Sequence, residues 1–324
     1  MYTIYDKWPE LAQEYYKKSY EPFDFKDVNH IVFSGMGGSG AIGDLFSAVL
    51  SKTNIHVSVV KGYLLPKTVD SQTLVVTTSI SGNTVETLNI LDLANKQECK
   101  IISFSDGGKM EDHCKKNKIE HRKIPKIHSP RASFVPYVYS ILNILGNFLP
   151  IKDSDVMESV ELLKRTGKIV SSSNLTEQNT SLLLAEWISG IPIIYYPWGL
   201  RAAAIRFKNS LQENAKTHAI TEDMIETCHN GIVAWEKPAN VVPIIIRGED
   251  DYISTKERWE ILKEYFKLKN IYYWEVFSVK GNILSKLINL IYLLDYSSIY
   301  HAIIKKVDPT PISSIDFVKN KLIQ

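Results

Sequence analysis

The chain has 324 residues, 44% of them hydrophobic, and its 38 Lys and Arg nearly balance 36 Asp and Glu, for a formal charge of +2. That balance excludes a dedicated nucleic-acid binder, which carries a basic stripe, and the length suffices for one large or two medium domains with a sizeable core. Three cysteines, Cys99, Cys114 and Cys228, fall in no metal-ligand spacing and exclude a disulfide framework; with a polar, aromatic start from Met1 to Glu10, they predict a cytoplasmic protein.

Residues 1–27 read as a helical arm with Leu11, Tyr15 and Tyr16 on one face. A regular alternation follows. His30 to Ser34 is a strand, Gly35 to Gly40 a glycine-rich turn, Ala41 to Leu50 a helix, and His56 to Val60 a strand. Thr73 to Thr77 is the next strand, with Asn83 to Ala94 as its helix and Val85, Leu88, Ile90 and Leu91 as that helix's apolar face. Lys100 to Phe104 is a strand, Lys109 to Cys114 a short helix, and Ile119 to Ile124 another strand or an edge. Phe134 to Leu149 is helical and Pro150 to Asp153 a linker. A second pass then runs through a helix at Leu182 to Ile188, a strand at Ile191 to Tyr196 and a helix from Arg201 to about Gln212. Strands at Val241 to Ile246 and Tyr272 to Val276 precede helices at Thr255 to Phe266 and Ile283 to Ile304. Asp308-Pro309-Thr310-Pro311 breaks the chain before a last helix, Ser313 to Leu322. Apolar runs such as Leu287 to Leu294 are too short to cross a bilayer and predict an amphipathic helix, so no membrane partner is expected. The pattern predicts an α/β protein of two subdomains, 1–150 and 151–324, each a mainly parallel, doubly wound sheet flanked by helices. Ligands of such sheets bind at the carboxyl ends of the strands.

The most telling stretch is Thr77-Thr78-Ser79-Ile80-Ser81-Gly82-Asn83-Thr84, where a buried strand gives way to a helix. Ser79, Ser81 and Thr84 offer hydroxyls, Gly82 permits a sharp turn, and the helix start adds free N–H groups and the positive end of its dipole. Such a cradle suits the phosphate of a small metabolite; a helix cap with extra serines is the alternative. Gly35-Met36-Gly37-Gly38-Ser39-Gly40 satisfies G-x-G-x-x-G, but the acidic ribose anchor is missing, since no Asp or Glu falls between Asp44 and Asp70. No Lys follows Gly40, so the P-loop pattern fails too. The better account brings Ser39 beside Ser81 and Thr84, two turns converging on one phosphate.

The glycine run followed by Ser-x-Ser-Gly-Asn-Thr-x-Glu-Thr resembles the sugar isomerase (SIS) domain, of flavodoxin-like plan. Over nearly the whole length the chain resembles the bifunctional phosphoglucose/phosphomannose isomerases, through Ser129-Pro130-Arg131-Ala132, Gln212-Glu213-Asn214-Ala215-Lys216, His229-Asn230, Asp308-Pro309-Thr310-Pro311 and Lys319. The resemblance implies a hexose 6-phosphate substrate, with phosphate held by Ser39, Ser79, Ser81 and Thr84, and Gly37 and Gly38 against the substrate. It implies Glu213 as the base that moves a proton between C2 and C1, a step in which general base catalysis contributes about 10²–10⁴-fold. Arg131 would stabilise the enediolate. His229 would open the ring, helped by Lys319, and can reach a partner subunit's site in the family, so a homodimer with a shared active site is expected. Thr310 would make room for the C2 epimer. Read without the resemblance, Glu213 is equally an exposed carboxylate at a helix end, His229 a surface histidine and Arg131 a surface ion pair. A Cys228–His229 dyad is discounted, because neighbours on a strand face opposite ways.

Three residues depart from the family pattern: Phe207 stands where Trp is usual, Gln212 where Asn is, and Gly231 where a Glu follows His-Asn. The third removes a charge beside His229. No metal is expected, as His113, His121, His128, His218 and His301 are scattered, and enediol chemistry requires no redox cofactor. A non-catalytic sugar-phosphate sensor, or another SIS-type sugar-phosphate isomerase, is the alternative function.

Overall fold

The computed structural model describes every residue except Pro22, Asp24, Asp27, Ile323 and Gln324. Helices α1 (Tyr2–Tyr5) and α2 (Trp8–Lys17) precede a first sheet of β1 (His30–Ser34), β2 (His56–Val60), β3 (Leu74–Ser79), β4 (Lys100–Ser105) and β5 (Glu120–Lys123). Between those strands run α3 (Gly37–Val49), α4 (Val85–Lys96) and α5 (Gly108–Asn117). Helices α6 (Phe134–Ile144), α7 (Asp153–Val170) and α8 (Thr180–Trp187) lead to a second sheet of β6 (Ile191–Tyr196), β7 (Ile220–Asp223), β8 (Val241–Arg247) and β9 (Trp274–Phe277). Its helices are α9 (Arg201–Ala215), α10 (Met224–Thr227) and α11 (Ile253–Leu268), and α12 (Ile283–Ile304) and α13 (Ser313–Leu322) follow.

Both sheets are parallel and share one winding plan. The first is ordered β2-β1-β3-β4-β5 and the second β7-β6-β8-β9. In each, the winding reverses between the first strand and the third, the point where a crevice opens at the strands' carboxyl ends. β1 and β3 are buried along their whole length, because helices cover both faces. Their side chains alternate between two cores. Ile31, Phe33, Leu74 and Val76 join the large one, whereas Val32 and Val75 face α4 and α5 with Ile90, Leu91, Met110 and Cys114. In the second sheet Ile194, Tyr196, Ile244 and Ile246 enter the same large core, while Ile193, Tyr195 and Ile245 pack on Trp259, Leu262 and Phe266 of α11. One continuous interior therefore backs both sheets.

Helix α12 runs through that interior, packed against α7, α8 and α9 and against α3. The expected span is reproduced, but the helix is not amphipathic: it runs for 22 residues and 83% of its most apolar window is buried, Asp295 included. A helix buried all round has no polar face to spare. Its length and hydropathy would let it cross a membrane, and here the protein itself covers it.

Several boundaries differ from expectation for local reasons. The N-terminal arm is two short helices whose buried face is Tyr5, Trp8, Ala12 and Tyr15; Leu11 is only partly covered and Tyr16 turns out to bond Asp153. The glycine-rich turn is shorter than Gly35 to Gly40, because Gly37 already starts α3. Of the face expected for α4, Ile90 and Leu91 are buried, Leu88 is partly covered and Val85 is half exposed; Thr87 and Ala94 are buried beside them. α7 and the short strand β7 were not anticipated, and α9 continues past Gln212 to Ala215.

Candidate active site

Two strand-to-helix turns meet at the switch point of the first sheet. β1 feeds α3 through Gly35 and Met36, and β3 feeds α4 through residues 80–84. The Ser39 hydroxyl of the first turn accepts the Ile80 N–H of the second at 3.3 Å. Ser79 and Thr84 share a hydroxyl–hydroxyl bond of 2.9 Å, and the Ser81 hydroxyl accepts the Asn83 N–H at 3.3 Å. Neither Met36 nor Thr84, the caps of α3 and α4, bonds its own helix with its side chain. Although the Ser39 N–H donates to the Met36 carbonyl at 3.0 Å, helix starts without a side-chain cap are suited to an anion. The serine hydroxyls bond within the turn and not to the first residues of α4. Gly82 holds φ +69°, and a Cβ there would stand 1.7 Å from the Gly107 carbonyl, so glycine alone closes this turn. Ser39 and Ser79 are buried, Ser81 and Gly37 exposed, and Thr84 and Gly38 half-buried.

Arg131 lies in the turn before α6 and is buried. A Cβ on Gly38 would sit 3.2 Å from the Pro130 carbonyl, which puts this turn directly on the first residues of α3. From there the guanidinium reaches the second lobe. Its Nε lies 3.2 Å from Glu213 Oε2, Nη1 donates to Asn214 Oδ1 at 2.5 Å and to the Pro309 carbonyl at 3.0 Å, and Nη2 donates to the Thr310 carbonyl at 3.2 Å. One planar fork thus ties the anion cradle's neighbour to the end of α9 and to the loop before α13.

Glu213 belongs to the last turn of α9, which runs on to Ala215. The helix ends at Lys216, which adopts φ +54° and donates its ammonium to the carbonyls of Glu213 at 2.9 Å and Asp308 at 3.0 Å. Burial raises the Glu213 carboxyl above the ordinary glutamate range, and the Arg131 charge opposes that rise. A carboxylate with a raised pKa, paired with a fixed cation beside an anion cradle, is equipped to shuttle a proton.

Behind this pair stands a buried polar layer. Arg206 donates to Asp295 at 2.6 Å and to the Arg131 carbonyl at 3.0 Å; Ser210 and Tyr5 donate to Asp295 at 2.6 and 3.2 Å. Asn214 passes its amide to Ser298 at 2.8 Å. The fully buried Asp295 is satisfied on both oxygens, the condition under which a buried ion pair fixes geometry.

Family models match both lobes. Residues 24–141 match the SIS domain, and residues 177–322 match the bacterial phospho-glucose isomerase C-terminal SIS domain. A bifunctional phosphoglucose/phosphomannose isomerase of Caldicellulosiruptor bescii is 33% identical over 311 residues, covering 92% of this chain and 91% of that protein. The chain belongs to the bifunctional phosphoglucose/phosphomannose isomerase family. A relative of the same description from Aquifex aeolicus is 29% identical across 94% of this chain and 95% of its own length. Among solved structures, a hypothetical protein of Thermus thermophilus superposes with a TM-score of 0.76 at 15% identity, over 98% of this chain and 89% of that one, which speaks for the fold alone.

Within this isomerase family fold, the structure gathers Ser39, Ser79, Ser81, Thr84, Gly38, Arg131 and Glu213 along one connected path, with the Thr310 backbone at its edge. It does not bring His229 or Lys319 to them. His229 is exposed on the turn after α10, and Lys319 is exposed on α13; neither side chain makes a hydrogen bond or ion pair among the described residues. Cys228 and His229 leave a helix end and not a strand, so the geometric ground for discounting their pairing was wrong, although His229 has no such partner among the described residues. Phe207 fills the core, and Gln212 is exposed. Gly231 itself carries no charge, but a carboxylate from another element lies close to it: Glu222 Oε2 stands 2.5 Å from where a Gly231 Cβ would be. Asn214 and Lys216 were quoted in the motif around Glu213 without a role, and the motif itself was the signal. Glu222 had none, because its relation to Gly231 exists only in space.

Proposed function

We propose that the protein interconverts glucose 6-phosphate, and mannose 6-phosphate, with fructose 6-phosphate by an enediolate mechanism. The observation that carries this reading is the Arg131–Glu213 pair, 3.2 Å apart, on a turn that touches the cradle of Ser39, Ser79, Ser81 and Thr84. The cradle takes the phosphate on the N–H groups of α3 and α4. Glu213 removes the C2 proton of the open-chain aldose, the electron pair shifts to form the C1–C2 double bond, and the C1 carbonyl oxygen gains the negative charge. Arg131 offsets that charge. The proton on O2 passes to O1, Glu213 returns its proton to C1, and the carbonyl is left at C2. Thr310, held beside Arg131 through its backbone, lies at the side where C2 epimers differ.

Ring opening falls to His229, with Lys319 assisting, and both act across a homodimer. Two features support the dimer. His229 is exposed and makes no bond to its own chain's ion pair, and α13 has none of its described residues buried although Ile315, Val318 and Leu322 share one face. A face of that kind fits a second copy of the chain.

The decisive experiment is Glu213→Gln in a coupled assay with both aldoses. Turnover falls at least about 10²-fold while substrate affinity holds, since the cradle is untouched. Unchanged turnover places the base elsewhere. Tight hexose-phosphate binding by the natural protein, with no solvent-proton exchange at C2, makes it a sensor.

A further inference from the structure

The turn that carries His229 is built over a carboxylate from another element. Glu222 is half-buried on β7, an edge strand, and its Oε2 lies 3.0 Å from the hydroxyl of buried Thr227. That hydroxyl also lies 2.8 Å from the Asp223 carbonyl, so Thr227 is gripped by β7 from two sides. The same Oε2 stands 2.5 Å from the place of a Cβ on residue 231. A methyl there would displace the carboxylate end of Glu222; Gly231 leaves that place open. Above it, Asn230 donates its amide to Glu226 Oε1 at 2.5 Å and accepts the Gly231 N–H at 2.5 Å. Every flank of His229 is thus tied down while its imidazole stands in solvent.

We infer that Glu222 is a positioning residue for His229, its carboxylate acting as the anchor that sets the Thr227–Gly231 turn and aims the imidazole outward. The inference rests on the reading of His229 as the ring-opening group of a shared site. An unpaired carboxylate half out of water costs stability, and no basic side chain lies within ion-pair distance of it among the described residues. The anchor acts through its length and its acceptor oxygen, both of which a glutamine retains.

Gly231→Ala provides the sharpest test. The added methyl evicts the mobile end of Glu222, so this variant and Glu222→Ala break the same contact from opposite sides. Each lowers kcat on glucose 6-phosphate roughly fivefold with KM held, and the double variant is no slower than the slower single. Glu222→Gln keeps turnover within about twofold of the natural protein, and it carries the test if Glu222→Ala fails to fold. In a His229→Ala background, neither substitution costs anything further. Losses that multiply, or a Glu222→Gln variant as slow as Glu222→Ala, overturn the anchor while leaving His229 in its role. A His229→Ala protein with full turnover instead defeats the reading of His229, and the positioning role falls with it.

Discussion

Arg131 carries four tasks with one side chain: it pairs with Glu213, holds Asn214, and donates to the Pro309 and Thr310 carbonyls. Such a site is not interchangeable with lysine, whose single ammonium cannot reproduce a planar fork. Its charge also sets the working pH. Burial pushes the Glu213 carboxyl up and Arg131 pulls it back, so removing the cation leaves burial unopposed. In the proposed mechanism Glu213 acts as a base only when ionised, and activity is therefore expected to be lost as pH falls through its raised pKa. Arg131→Met is expected to move the acid limb of the kcat profile to higher pH and to slow turnover by about 10²-fold. An acid limb that stays in place or moves down would separate Arg131 from Glu213. At this scale the sequence was informative about identity and silent about distance. The motif around Glu213 was legible, yet nothing in it said that Asn214 grips Arg131 or that Lys216 clamps Asp308. Those contacts join residues about ninety positions apart, beyond any local pattern.

At the scale of elements, alternation fixed the strands well. Val32 and Val75 facing one core, and Ile31, Phe33, Leu74 and Val76 the other, is the period of two that a central parallel strand hides inside a continuous apolar run. β7 escaped because Ile220–Asp223 is short, polar and at an edge. α7 escaped although Val156, Val160, Leu163, Gly167 and Val170 form a helical stripe, since Gly167 interrupts its apolar reading. The β3–α4 turn is the most exacting element. Gly82 is pressed against Gly107, so Gly82→Ala must push the turn off its neighbour and spread the hydroxyls of the cradle. Strain of this kind costs about 1–3 kcal/mol. The variant is expected to melt earlier and to raise KM for the phosphorylated substrate at least about tenfold, with steady-state kinetics as the measurement. An unchanged KM would take the phosphate away from this turn.

For the whole molecule, the arrangement of His229 and α13 makes a test by mixing. Dimers of Glu213→Gln alone, or of His229→Ala alone, are expected to keep only a small residual turnover. On the proposed shared site, a heterodimer of the two rebuilds one intact site, with the glutamate of one chain and the histidine of the other, so equal mixtures should recover about a quarter of the natural activity. No recovery after subunit exchange would confine each site to one chain. The one interior shared by the two sheets bears on how such a site can move. Because α12 is wedged between the lobes and dry on nearly every side, a clamshell motion would have to peel apolar surface from it at each opening. Substrate traffic is then left to the rim, and the span between anion seat and carboxylate behaves as a rigid gauge, admitting sugars by chain length before any side chain touches their hydroxyls.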